Sequence, residues 1–141
     1  MTTTPAPVRT SLTRHLAWGI GLAVVAAIAW FGWMGWDSEY WYDEAGDPHG
    51  PYETWQVAGC VLTLLVACVL GAALWRPLGP MAVMPPAFTA AWIATSASGD
   101  DQGLWPVGAL FVLVGTVLGA GLVGIIVGAF DPPSTRRRRH R

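Results

Sequence analysis

The sequence predicts an all-α polytopic membrane protein with four transmembrane helices and both termini cytoplasmic. Three observations carry that expectation. Charged residues are 12% of the chain, against about 25% in an ordinary soluble domain. Four stretches hold no charge at all: Leu16–Trp36, Thr54–Trp75, Pro77–Gly99 and Gln102–Phe130, with 21, 22, 23 and 29 residues. Each reaches the roughly 20 residues of helix that cross a hydrocarbon core about 30 Å thick. A soluble fold of 141 residues has no interior that could hide all four. Finally, the signs segregate. With four crossings, all eight arginines fall on one side and eight of the nine acids on the other, +7 against −8. Positive flanks favour the cytoplasm, whereas acids influence insertion weakly.

Residues 1–15 are expected as a cytoplasmic tail bearing Arg9 and Arg14, followed by a first span at about 16–36. The same region has features of a cleaved signal peptide, with Ala27-Ile-Ala29 as a mock cleavage site. The apolar run continues through Trp30, Phe31, Trp33 and Trp36 to full spanning length, so a retained span is the preferred reading. Trp30 lies too deep for the headgroup zone, and its indole N–H needs a partner on another helix. Most other aromatic residues, among them Trp18, Trp33, Trp36, Trp55, Trp75 and Trp105, sit at span boundaries and read as an interfacial belt.

The loop 37–53 holds six acids and no base, and is expected outside. Asp43, Glu44, Asp47 and His49 are close enough in sequence to suggest a cation site. Their spacing fits neither the alternate-ligand calcium loop nor a zinc set. A solvated turn built on Ala45-Gly-Asp-Pro-His-Gly-Pro51 is the preferred reading, and neither metal nor cofactor is expected.

The second span, about 54–75, contains both cysteines, Cys60 and Cys68. Eight helical residues place their Cα atoms about 12 Å apart, beyond the roughly 7 Å limit for a disulfide. They read as compact packing residues. The third span, about 78–98, is the irregular one: Pro77, Pro80, Pro85 and Pro86 crowd its start. A helix starting after Pro86 would be too short to cross. The choice is between a kinked crossing and a re-entrant hairpin. A hairpin would deliver the arginine-rich C-terminus outside, so the crossing is preferred.

The fourth span, about 104–129, is rich in glycine. Gly115 and Gly119 form one GxxxG pair; Ala120, Gly124 and Gly128 form a longer small-residue ridge. Small residues four apart line one helix face and allow close backbone approach, which drives association where lipid offers no hydrophobic force. These five residues are the candidate helix-packing site, so residues 16–130 form one four-helix domain. The tail 131–141 carries Arg136, Arg137, Arg138, Arg139 and Arg141. It reads as a topology lock on anionic lipid headgroups, in preference to a nucleic-acid site.

The spans contain no Asp, Glu, Lys, Arg or His. Proton-coupled carriers and ion pumps place an ionisable group within the membrane, so coupled transport is disfavoured. No nucleophile elbow, phosphate loop or paired catalytic motif is present. The stretches Gly50-Pro-Tyr-Glu-Thr-Trp-Gln-Val-Ala-Gly-Cys60 and Gly103-Leu-Trp-Pro-Val-Gly-Ala109 resemble those of uncharacterised small four-span integral membrane proteins from high-GC actinobacteria. The absence of Lys and Asn fits GC-rich coding. That resemblance implies a bacterial cytoplasmic (plasma) membrane and brings no activity or site residues. The leading expectation is a structural or accessory component, packing into a homo-oligomer or against a membrane-protein partner. An oligomeric channel or facilitator ranks second and a membrane enzyme third.

Overall fold

Each uncharged stretch forms one helix. The computed structural model describes residues 8–37, 41–97 and 103–130. Its helices are α1 (Val8–Trp33), α2 (Thr54–Leu74), α3 (Gly79–Ser96) and α4 (Trp105–Ala129). Between α1 and α2, two short strands, β1 (Trp41–Tyr42) and β2 (Pro48–His49), pair antiparallel with Trp41 opposite His49. The helix α1 starts eight residues before the apolar run, inside the segment expected as a tail. Arginine interrupts the run without interrupting the helix, because it is a good helix former.

Three helices are long and apolar enough to cross a membrane: Leu12–Trp33 within α1, Thr54–Leu74 and Trp105–Ala129. The third helix, α3, stands outside that group. It has 18 residues, about 27 Å of helix, and its prolines, threonines and serine dilute its apolarity. It is nevertheless one continuous helix, not a hairpin. Pro80 sits in the first turn, where a missing N–H has no intrahelical partner to lose. Pro85 and Pro86 are interior, and the helix runs on through both.

Contacts fix the helix directions. His15 meets Trp75 and Trp33 meets Trp55, so α1 and α2 are antiparallel. Gly19 lies by Val83 and Trp30 by Thr95, so α1 and α3 run parallel. Gly121 lies by Met81 and Gly108 by Trp92, making α4 antiparallel to α3. Among the described residues α1 and α4 do not touch, and α3 packs on all three other helices. The cross-section is therefore a rhombus with α2 and α3 on its short diagonal. Arg14, Arg76 and the described ends of α1 and α4 gather at one end of the bundle, and Asp37, the hairpin and Glu53 at the other.

The core lies along α3: Leu22, Ala26 and Trp30 from α1, Cys60 and Cys68 from α2, and Met84, Phe88 and Ala91 from α3. Both cysteines are free. Large side chains mostly point outward, including Ile28, Leu62, Leu70, Leu118 and Ile125. Outward Leu and Ile over small-residue seams are the arrangement a lipid solvent favours.

Candidate helix-packing interface

The five small residues singled out on α4 face different surroundings. A side-chain carbon at Gly124 would overlap the Pro77 carbonyl oxygen, so the backbones touch there. Gly128 lies over the Pro77 ring, and Gly121, one turn before Gly124, leaves room for the Met81 sulfur. Ala120 turns toward α2, where its carbonyl accepts a long contact from the Cys68 thiol at 3.9 Å. Gly115 and Gly119 are different. Both are exposed, and a Cβ on either would meet nothing within 4 Å. Gly119 borders a furrow of about 340 Å³ between α2 and α4, with Met84 and Phe88 among its lining.

Several closely packed residues were not legible as such from sequence. Trp33, read as part of the belt, is half-buried between helices. Its indole N–H donates to Thr63 Oγ1 at 3.1 Å, and its ring lies where a Gly59 Cβ would come within 2.5 Å. Trp92 covers Gly108 in the same way, a Cβ there falling 2.6 Å from the ring. Trp75, also placed in the belt, covers Gly79 and meets His15 edge to face. A large residue facing a glycine on the next helix is the signal, but it needs the pairing of faces to be known. Trp36 and Trp55 remain exposed at the acidic end.

Trp30 has the partner its depth demands. It is 2% exposed, and its indole N–H donates to Thr95 Oγ1 at 3.0 Å, which donates in turn to the Trp92 carbonyl. Tyr52 and Phe88 meet the same ring edge to face, at 5.7 Å each. Thr63 and Thr116 return their hydroxyls to carbonyls one turn back, on Gly59 and Val112. Thr89 does not: its buried hydroxyl has no partner among the described residues. Gln56, only 1% exposed, ties the acidic end together. Its amide donates to Asp37 Oδ2 at 3.0 Å, and its Oε1 accepts from the Glu53 N–H at 2.6 Å.

In the acidic loop, Asp43 Oδ1 accepts backbone N–H groups from Ala45 and Asp47, both at 2.9 Å. Gly46, at φ 83°, supplies the left-handed residue of this turn. Among the described residues no group of three or more His, Cys, Asp or Glu converges to hold a metal ion. The His49 side chain and the tail with Arg136–Arg139 and Arg141 lie outside the described residues. No protein-family model matches the chain, and no curated protein or solved structure matches it either.

Proposed function

We propose that this chain is a four-crossing integral membrane protein of a bacterial cytoplasmic membrane, with a structural or accessory role. It assembles through the outer face of α4, against a second copy or another membrane protein. The observation that carries this reading is the outward ridge of Gly115 and Gly119, open to close approach while Gly121 and Gly124 are covered by Met81 and Pro77. In lipid, a groove of small residues gains dispersion contacts from a partner helix that it does not gain from mobile acyl chains. A pore, the second reading, would have to form between copies, since Trp30, Met84 and Phe88 are buried within each bundle.

Mild detergent extraction of the tagged full chain tests the assembly. A stoichiometric partner or a discrete oligomer, lost on Gly119→Leu, is expected. Monomers alone, in both wild type and variant, would refute it. Solute flux in liposomes above that of empty vesicles would favour the pore instead. Topology is tested separately by tags. Those at Thr2 and after Arg141 should be cytoplasmic, and one near Gly46 external.

A further inference from the structure

The arginine end of the bundle carries a second open surface, between α1 and α2. A groove of about 790 Å³ runs along this seam. Its α1 side is a single stripe at helical spacing, Arg14, Trp18, Gly21 and Val25, and its α2 side includes Val66 and Leu70. The groove is open because Gly21 presents no side chain: a Cβ there would meet nothing within 4 Å. From Arg14 to Val25 is eleven residues of helix, about 16 Å. That is about half the roughly 30 Å thickness of a hydrocarbon core. The groove thus begins at the charged end and stops near mid-bundle.

Its chemistry changes once along that length. Arg14 stands at the mouth, exposed, and every described carboxylate lies at the opposite end of the bundle. Trp18 follows one turn deeper, with an indole suited to the headgroup boundary. Everything beyond is aliphatic except Thr63, whose hydroxyl is occupied by the Gly59 carbonyl. We infer that this groove is a binding site for one anionic phospholipid of the arginine-side leaflet. Its phosphate lies at Arg14, and one acyl chain lies along Gly21 to the bundle middle. The site is distinct from the α4 face. It rests on the bundle crossing a bilayer, which the tag experiment tests independently.

The test uses full-length protein released from lipid discs of phosphatidylcholine containing a minor fraction of phosphatidylglycerol, with bound lipid counted by native mass spectrometry. One phosphatidylglycerol per chain should be retained in preference to phosphatidylcholine. Arg14→Gln should reduce that preference about fivefold, the equivalent of roughly 1 kcal/mol for one basic residue at an anionic surface. Gly21→Leu fills the groove from a position where the added Cβ meets nothing within 4 Å, and should abolish retention of both lipids. Gly32→Leu, where an added Cβ likewise meets nothing within 4 Å but which lies outside the groove, should leave retention unchanged. Equal retention of the two lipids, unaltered in Arg14→Gln, would overturn the inference. So would a dimer lost in Gly21→Leu while lipid retention persists, since the occupant would then be a second copy.

Discussion

The two ends of the bundle are closed by different means. At the acidic end, side chains bridge helices through named hydrogen bonds: Trp30 to Thr95, Trp33 to Thr63, Gln56 to Asp37. Indole rings also lie over Gly59 and Gly108 there, whereas at the arginine end close approach reaches the backbone itself. Gly124 meets the Pro77 backbone, and Gly71 leaves space for Leu22 and Pro80, which a Cβ would approach to 2.9 Å. The contrast teaches that small residues and polar residues are alternative ways to join helices in lipid. Close approach tolerates no added volume, whereas a hydrogen bond between helices contributes modestly and its loss leaves the packing standing.

Gly124→Leu should therefore be the most damaging change. The new side chain has to displace the Pro77 carbonyl and Leu78, and overpacking of this kind costs about 3 kcal/mol. Thermal unfolding of the monomer in detergent should show it. Gly119→Leu breaks the symmetry between the two glycine ridges. Monomer stability should stay near wild type, while association weakens about tenfold, or roughly 1.4 kcal/mol. Equal loss of monomer stability in both variants would show that the ridges do not differ.

At the acidic end, a double-mutant cycle of Trp30→Phe and Thr95→Val isolates one latch. The coupling should be about 1 kcal/mol, the usual scale for a hydrogen bond between membrane helices. A coupling as large as the Gly124 penalty would erase the contrast between the ends. The smallest effect belongs to Thr89→Val. Removing a buried hydroxyl without a partner should leave stability unchanged or raise it by about 0.5 kcal/mol. A clear loss would mean that Thr89 has a partner beyond the described residues.

Helix positions were largely legible because they follow from uncharged runs. The stretch at about 54–75 forms Thr54–Leu74, and that at about 104–129 forms Trp105–Ala129. The partner of Trp30 could be anticipated for a similar reason: a deep indole has no water to bond. What sequence did not reveal depends on which faces meet. Trp33 was indistinguishable from a belt residue until Gly59 was found opposite it. Gln56 and Asp37 are nineteen positions apart and meet because α2 begins beside the exit of α1. The pair of GxxxG motifs showed that α4 has close-packing faces, but spacing alone could not divide an inward ridge from an outward one.

The position of α3 has a consequence for how the chain is made. Although α3, like α2, packs on all three other helices, it is the one outside the group long and apolar enough to cross a membrane. Apolarity is what lets a segment partition from the translocon into lipid during synthesis, and proline and serine weaken it. In the membrane reading proposed above, α3 is held in the bilayer by company more than by composition. Pro77, Met81 and Trp92 must find Gly124, Gly121 and Gly108 on α4, which emerges from the ribosome after α3. Insertion of the third crossing would then be completed by the fourth. A nascent chain halted before Trp105 would hold α3 as the segment most exposed to quality control.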